Sequence, residues 1–322
     1  MATTEETLRS LAAIPNLQIS RDVQLARYTR FAIGGPADAV IETASAESFI
    51  AALNIARGSG LPYVVIGGGS NLIVSDEGFR GIVLKLSAHA ICIDGTRIVA
   101  EGGAVLQDLV DATVAAGLAG IHTMTGIPGS VGAAVYGNAG AYGRSISESA
   151  RQVRFFDGAG IRAFGNSECE FHYRESIFKK HKEWIILSVE LQLERGDSTE
   201  LKAKADGILA VRNEKYPPEM KCAGSIFKNY LLAELPEAVA EALPGNVIRE
   251  GKVPSAYFLE QVGAKGMAVG DIHVATYHAN LIYNAGHGTA RDLVTVIGEL
   301  KRRIGDRFGI PLEEEVQYVG RV

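Results

Sequence analysis

Short apolar runs alternate with one helical stretch in the first quarter of the chain. Asp38–Thr43, Pro62–Ile66 and Gly81–Leu86 each carry the apolar, β-branched character that predicts a strand. Between the first two runs, Ser45 is a suitable N-cap, and the helix that it starts is predicted to end at Gly58. The pattern therefore predicts a βαβ-like unit.

The rest of the chain mixes helical and strand periodicity. Further strands are predicted at residues 97–101, 151–156, 184–193 and 315–319, and further helices around 106–114, at 200–216 and from 289 onward. Thr289 and Asp292 have the spacing of a capping box, and the helix after them carries an apolar stripe. We therefore expect a mixed α+β fold with several subdomains.

Composition and charge exclude several classes of protein. The 322 residues have a globular composition, and a net charge of −5 offers no basic field to a nucleic acid or an anionic membrane. Cys92, Cys169 and Cys222 lie far apart, so we expect neither a metal-binding pair nor disulfides, and a reducing, cytoplasmic setting. The histidines have no metal-binding spacing.

One uncharged segment is long enough to span a bilayer. Residues 112–143 contain no Asp, Glu, Lys or Arg, but eight glycines and Pro128 exclude a continuous helix there. The first ten residues also lack the basic-then-apolar order of a signal peptide. We expect no membrane segment.

Glycine is the outlying residue type, because 20 of the 37 glycines lie between Gly34 and Gly143. Residues 67–71 (GGGSN) follow a predicted strand and can point several backbone N–H groups at phosphate oxygens. Leu72 stands where the dinucleotide fingerprint needs a glycine, so that motif is excluded. From this pattern alone, a tight turn between strands is an equal alternative.

A second glycine segment, residues 126–143 (GIPGSVGAAVYGNAGAYG), gives a stronger signal. Its small residues bury little apolar area, so they cannot form a core. They can lie flat against a large, planar, polar-rimmed cofactor such as a flavin. Closely packed glycine turns without a ligand are the alternative.

Three polar motifs complete the candidate chemistry. Arg174 lies among aromatic residues in HYRES, where its planar guanidinium could bind a carboxylate, although a surface ion pair with Glu175 is the simpler interpretation. Ser225 lies on a glycine turn in AGSIFKN, without the surroundings of a hydrolase nucleophile. Glu315 belongs to LEEEV, which alone indicates a solvated start of a strand.

The order of these motifs resembles that of the UDP-N-acetylenolpyruvoylglucosamine reductase (MurB) family over essentially the whole chain. The matching pieces are YTRFAIGG at 28–35, IGGGSN at 66–71, the segment 126–143, HYRES at 172–176, AGSIFKN at 223–229, HAN at 278–280 and LEEEV at 312–316. Seven motifs in one order are far more specific than a lone glycine motif.

The resemblance implies an α+β fold in which a two-part FAD-binding domain of the vanillyl-alcohol-oxidase type precedes a C-terminal α+β substrate-binding domain. The implied subdomains are residues 1–86 joined by the C-terminal strand 312–322, then 87–205, and then the substrate domain 206–311. FAD would be held non-covalently. The implied pyrophosphate contacts are Gly67, Gly68, Gly69, Ser70, Asn71, Gly129, Ser130 and Gly132, and Asn138, Gly140 and Ala141 would lie nearer the flavin ring.

The implied activity is reduction of UDP-N-acetylglucosamine enolpyruvate to UDP-N-acetylmuramate, with NADPH as co-substrate, in peptidoglycan precursor synthesis. By resemblance, Arg174 would bind the substrate carboxylate, Ser225 would donate the proton and Glu315 would assist. The implied contacts to the UDP part are Lys215, Asn229 and Arg212.

Only 51 positions separate Arg174 from Ser225, which is typical of the shorter subtype that lacks a tyrosine-bearing insertion. We expect a monomer or weak oligomer without nucleic-acid or membrane partners. An FAD-dependent oxidase of the same fold, and a non-catalytic module that binds a nucleotide sugar or a flavin, are the alternative interpretations.

Overall fold

A computed structural model describes residues 4–322. The helices are α1 (Thr4–Ala12), α2 (Ala46–Ser59), α3 (Leu106–Ala115), α4 (Val131–Tyr136), α5 (Ile177–Lys180), α6 (Ser198–Lys215), α7 (Glu237–Glu241), α8 (Ser255–Gln261) and α9 (Ala290–Phe308). The strands are β1 (Gln18–Gln24), β2 (Pro36–Thr43), β3 (Tyr63–Ile66), β4 (Leu72–Val74), β5 (Phe79–Leu86), β6 (Ile91–Asp94), β7 (Arg97–Glu101), β8 (Leu118–Ala119), β9 (Gly140–Ala141), β10 (Arg144–Ser145), β11 (Ala150–Phe156), β12 (Ile161–Gly165), β13 (Ile185–Gln192), β14 (Glu194–Arg195), β15 (Lys221–Ser225), β16 (Tyr230–Leu231), β17 (Lys252–Val253), β18 (Ala268–Val269), β19 (Ile272–Val274), β20 (Leu281–Asn284) and β21 (Gln317–Val319).

The chain forms two compact units, and the backbone passes from one to the other several times. Unit 1 contains the described residues up to Val23, then Ala37–Gly69 and Arg80–Glu214. Unit 2 contains Gln24–Pro36, Ser70–Phe79 and Lys215–Val322.

Unit 1 is built on two sheets. One has the strand order β1-β2-β5-β3, with β3 parallel to β5, and α2 buries Phe49 and Leu53 in its core. The other is antiparallel with the order β12-β11-β13-β7-β6. Its core contains Leu109 and Val110 of α3 together with Phe155 of β11.

Unit 2 packs α9 into a core that it shares with the sheet β15-β20-β19-β18. The predicted apolar stripe of α9 is buried, with Leu293, Val296 and Leu300 fully inside. The last strand, β21, pairs in parallel with β4, so the chain end is tied to residues that follow the first glycine motif.

The helix signals in the sequence were largely correct. The Ser45 side chain accepts a hydrogen bond from the Ser48 N–H and caps α2, and Thr289 and Asp292 form the predicted capping box of α9. The predicted end of α2 at Gly58 was wrong. The helix continues to Ser59, and Gly60, with φ of 76°, provides the left-handed residue that ends it.

No helix within residues 4–322 combines the length and apolarity that crossing a membrane requires. The same residues contain no cluster of three or more His, Cys, Asp or Glu side chains that could hold a metal ion.

Asp76 joins the Ser70–Phe79 segment to α9 within unit 2. Its two carboxylate oxygens accept hydrogen bonds from the N–H groups of Ala290 at 2.8 Å and Arg291 at 3.1 Å. These N–H groups have no partner inside the helix, and a negative charge at this end also interacts favourably with the helix dipole.

We predict that Asp76→Ala lowers the free energy of unfolding by about 1–2 kcal/mol, because it removes the charged acceptor of two N–H groups at the start of α9. Asp76→Asn retains one acceptor oxygen and should lose about half as much. Urea unfolding of both variants measures the effect. The matched control is Glu77→Ala, at the exposed neighbouring position. If Asp76→Ala and Glu77→Ala lower the free energy of unfolding equally, the hydrogen bonds from Asp76 to α9 contribute nothing to stability.

Candidate active site

Within unit 1, the glycines of the first motif pack against the start of the second glycine segment. A Cβ atom on Gly68 would lie 3.2 Å from Gly129 Cα, and one on Gly67 would lie 3.0 Å from Ser130 Oγ. Gly129 also has a φ of 117°, which side-chain-bearing residues rarely adopt. The atoms that meet Gly67 and Gly68 here are backbone atoms of Gly129 and Ser130, the Ser130 hydroxyl and the Ala133 Cβ.

The start of α4 is held just as closely. The Val131 and Gly132 N–H groups donate hydrogen bonds of 2.8 Å to the carbonyls of Ala104 and Gly102. A Cβ on Gly132 would lie 2.9 Å from the Gly102 oxygen, which is too short for a real contact. Ser130 caps α4 by accepting a hydrogen bond from the Ala133 N–H.

Asn138 joins the second glycine segment to the HYRES motif. Its Nδ2 donates to the His172 carbonyl at 2.8 Å, and its Oδ1 accepts from the Ser147 N–H at 3.3 Å. Gly140 lies so close to the Arg144 carbonyl that an added Cβ would be only 2.3 Å from its oxygen. The predicted flavin-side residues Asn138 and Gly140 are therefore fixed by protein contacts.

Arg174 occupies the tip of a tight hairpin in unit 1. His172 and Glu175 exchange backbone hydrogen bonds of 3.0 and 3.2 Å, so Tyr173 and Arg174 form a two-residue turn. Arg174 has a φ of 57°, its guanidinium lies 5.3 Å from the Tyr173 ring centroid, and its Nη2 donates to the Gly140 carbonyl at 3.2 Å. The predicted carboxylate-binding arginine thus contacts the predicted flavin-side segment.

Ser225 ends β15, the edge strand of the unit 2 sheet. The pairing of β15 with β20 shifts register between Cys222 and Ser225, and Gly224, with φ of 79°, lies inside this bulge. The Ser225 Oγ lies 3.1 Å from the Tyr216 hydroxyl. The bulge therefore removes Ser225 from the regular alternation of the strand and sets it against a second hydroxyl.

Glu315 lies on the segment that pairs with the Ser225 turn. Its N–H donates to the Ile226 carbonyl at 2.8 Å, and its own carbonyl accepts a 2.8 Å hydrogen bond from Asn71 Nδ2. The predicted cofactor contact Asn71 thus also holds the Glu315 backbone, and Ser225 and Glu315 lie on neighbouring chain segments of unit 2.

A buried amide supports the AGSIFKN turn from below. Asn280 is 2% exposed and bonds to both backbone groups of Phe227, accepting at 2.9 Å and donating at 2.8 Å. It also donates to Ser255 Oγ at 2.7 Å, and the Ser255 N–H donates to Asn229 Oδ1 at 3.3 Å. The predicted substrate residue Asn229 is therefore part of a rigid network.

The Lys215 charge acts on a half-buried histidine, His278, in unit 2. The Lys215 carbonyl accepts a 2.9 Å hydrogen bond from the Tyr277 hydroxyl, and its ammonium lies 5.0 Å from the Tyr216 ring centroid. His278 Nδ1 accepts from the Asn280 N–H at 3.1 Å. Burial, and after it the Lys215 charge, lower the pKa of His278 to about 4, so this ring is neutral near pH 7.

Arg212 lies in unit 1, on α6 three positions before Lys215, with which unit 2 resumes. A Cβ on Gly126 would be 3.0 Å from Arg212 Nε, so this side chain covers the start of the second glycine segment. Gln107 Oε1 accepts a 2.6 Å hydrogen bond from the Gly126 N–H. Sequence inspection missed Gln107, because nothing in the local pattern of α3 distinguishes it from the other polar residues of that helix.

The structure therefore groups the predicted residues in two sets. Arg174 joins the glycine segments and Arg212 in unit 1. Ser225, Glu315, Lys215 and Asn229 belong to unit 2, as do Ser70 and Asn71 of the first glycine motif. Tyr216, which the sequence marked only as the end of a helix, is added by its contact with Ser225.

Comparisons with known proteins find two family models that match successive parts of the chain. A family model described as FAD binding domain matches residues 37–162, which defines the chain as a flavoprotein with an FAD-binding domain. A second model, the C-terminal domain of UDP-N-acetylenolpyruvoylglucosamine reductase, matches residues 216–319.

Full-length relatives identify the family. The chain is 61% identical over 310 residues to the UDP-N-acetylenolpyruvoylglucosamine reductase of Solibacter usitatus, covering 96% of this chain and 99% of the relative. It is 38% identical over 305 residues to the reductase of Rubrobacter xylanophilus, covering 93% and 94%. The crystal structure of MurB from Thermus caldophilus superimposes with a TM-score of 0.73 at 28% identity, covering 94% of this chain and all of that one.

The chain belongs to the UDP-N-acetylenolpyruvoylglucosamine reductase (MurB) family. The predicted fold class, an FAD-binding domain followed by a C-terminal α+β domain, is confirmed. The residues of unit 1 fit the cofactor, because Gly67, Gly68 and Gly129 form a close-packed, uncharged backbone surface of the kind that accepts a diphosphate.

We predict that Gly132→Ala weakens FAD binding by about tenfold or more, because its Cβ must push α4 away from the Gly102 carbonyl. Flavin fluorescence titration of the apoprotein measures the dissociation constant. Gly137→Ala is the matched control, since a Cβ there meets only the Ala133 oxygen at 3.6 Å. Equal FAD affinity of the two variants would disprove the packing argument.

We predict that His278 makes stability depend on pH. Its folded pKa of about 4 lies below the usual value near 6.5, so the unfolded chain binds more protons between these values. The contribution is complete above about pH 6.5 and is lost as the pH falls towards 4. Urea midpoints at pH 7 and pH 5 should therefore differ more for the native protein than for His278→Asn, and parallel profiles would exclude the effect.

Proposed function

We propose that this chain reduces the enolpyruvyl group of UDP-N-acetylglucosamine enolpyruvate to UDP-N-acetylmuramate, with NADPH as the source of electrons. The family and the FAD-binding domain support the class of reaction. The observation that carries the proposal is the backbone pairing of Glu315 with Ile226, because it puts the candidate acid and its candidate partner carboxyl on neighbouring segments.

FAD, held by the glycine segments of unit 1, would supply the two-electron hydride chemistry that links NADPH to the methylene carbon of the enol ether. Hydride addition moves negative charge onto the substrate carboxylate, and the reaction accelerates only if that charge is stabilised as it develops. Arg174 performs this task, because a guanidinium binds a carboxylate with two parallel hydrogen bonds. Its turn and its bond to Gly140 hold it in place.

Ser225 donates the proton to the carbon next to the carboxylate. A serine hydroxyl is a weak acid, but the enolate formed by hydride addition is a strong base, so the proton transfer is favourable in free energy. Glu315 assists by donating a hydrogen bond to the developing charge from a protonated carboxyl group. Gly224 supports the role of Ser225, because the bulge that it allows turns the hydroxyl out of the strand.

Lys215 and Asn229 bind the diphosphate and uridine part of the substrate. Tyr277 holds the main chain of Lys215, and Ser255 holds the side chain of Asn229. Groups that are already held in place lose less entropy on binding. Arg212 lies against Gly126, and its positive charge there supports a role towards a diphosphate group.

The two half-reactions test these roles separately. Anaerobic protein loaded with FAD is first mixed with NADPH and then with the enol ether, and flavin absorbance follows both steps. We predict that Ser225→Ala leaves reduction by NADPH intact and slows reoxidation by about 100-fold or more, because a general acid contributes at least this much. Equal slowing of both steps would contradict the proton-donor role.

Arg174→Lys and Glu315→Gln should also slow reoxidation while FAD stays bound. Glu313→Gln is the matched control, since Glu313 lies two positions away, is exposed and pairs with Lys228. If air but not the enol ether reoxidises the flavin, the oxidase is favoured. If the native protein shows no turnover and the variants only bind the enol ether more weakly, a binding module is favoured.

A further inference from the structure

The Ser225 hydroxyl has a phenol as its hydrogen-bond partner. Tyr216 Oη and Ser225 Oγ are 3.1 Å apart, and both side chains are half-buried in unit 2. We propose that Tyr216 is a positioning residue for Ser225, whose hydroxyl it orients for proton donation and whose charged product it stabilises by a hydrogen bond. This inference rests on the proposed function, in which Ser225 is the acid.

The direction of this hydrogen bond decides whether Ser225 can act. A serine hydroxyl carries one hydrogen and two lone pairs. If Ser225 donated to Tyr216, its hydrogen would point away from any substrate. If Tyr216 donates, the Ser225 hydrogen is available for transfer, and one lone pair is already occupied by a fixed partner. Proton donation therefore requires Tyr216 to be the donor.

The same hydrogen bond becomes stronger when the reaction needs it. In the transfer step the O–H bond of Ser225 breaks, a C–H bond forms at the carbon beside the carboxylate, and negative charge remains on Oγ. A hydrogen bond to a charged oxygen is roughly twice as strong as one between neutral groups. Tyr216 therefore stabilises the product of proton transfer more than the resting state, which is the requirement for catalysis. Water afterwards returns a proton to Ser225.

Neighbouring contacts keep the phenol in this position. Tyr216 is the first residue after α6, and Tyr277 fixes the preceding carbonyl of Lys215 by a 2.9 Å hydrogen bond. The Tyr216 ring packs against the core of unit 2 and lies under the Lys215 ammonium. A phenylalanine at this position retains both ring contacts, so Tyr216→Phe removes the hydroxyl while preserving the packing.

The test compares Tyr216→Phe with the native protein in the two half-reactions. We expect flavin reduction by NADPH to be unchanged and reoxidation by UDP-N-acetylglucosamine enolpyruvate to slow about 10- to 100-fold, as for loss of a hydrogen bond to a charged group. The solvent deuterium isotope effect on reoxidation should increase, because proton transfer becomes slower than hydride transfer. A merely structural defect would slow both half-reactions and leave the isotope effect unchanged.

A double-mutant cycle shows whether Tyr216 acts through Ser225. In the Ser225→Ala background, Tyr216→Phe should cause no further loss, whereas independent residues give additive losses. Tyr230→Phe is the matched control, since it removes a phenol hydroxyl of the same unit that has no hydrogen-bond partner among residues 4–322. This control should reoxidise at the native rate.

The outcomes separate the two proposals. A native protein whose flavin is not reoxidised by the enol ether overturns the proposed function itself. Native turnover together with an unchanged rate in Tyr216→Phe, or with additive losses in the double variant, overturns the role of Tyr216 and leaves the reductase intact.

Discussion

The close approach of two stretches of glycine backbone in unit 1 is the constraint on which the candidate cofactor site depends. Gly68 and Gly129 lie so close that a Cβ added to Gly68 would be only 3.2 Å from the Gly129 Cα. The groups that meet at this contact are peptide groups. Peptide N–H groups can face a diphosphate without a charged side chain that needs space and a partner of its own. Gly129 lies within residues 112–143, which contain no Asp, Glu, Lys or Arg. Positive charge reaches the segment from α6 instead, through Arg212.

Around this surface, the backbone takes conformations that are costly by themselves. Asn138, Tyr142 and Arg174 all have positive φ angles, a conformation that side-chain-bearing residues take only where the surrounding structure over-determines it. Here the surroundings supply that support. The Ser176 hydroxyl, which is fully buried, donates to the Tyr136 carbonyl at 2.7 Å, and the rings of Phe155, Phe178 and Trp184 pack against one another in the core of unit 1. The packed core of unit 1 thus supports the backbone of Arg174 in its positive-φ conformation.

Local sequence signals predicted the elements better than they predicted contacts. Ser45 and Thr289 act on N–H groups within three residues of themselves, so their capping roles could be inferred from spacing alone. Gly58 and Gly60 are both plausible ends of α2, and only the backbone conformation shows that Gly60 is the left-handed one. The bond of Asn138 to His172 spans 34 positions, and the bond of Asn71 to Glu315 spans 244. No periodicity encodes contacts between segments so far apart, and here only the family resemblance indicated which motifs belong together.

The pairing of Ser225 with Tyr216 shows why a short sequence separation is not enough either. Nine positions separate the two residues, but Pro217 and Pro218 break the helix between them, and Gly224 shifts the strand register just before Ser225. In a regular strand, alternate side chains point to opposite faces, so the orientation of Ser225 depends on that shift. Gly224 therefore affects the orientation of the serine that follows it. The 3.1 Å contact with Tyr216 therefore depends on two local breaks in regular structure, the end of α6 and the bulge in β15.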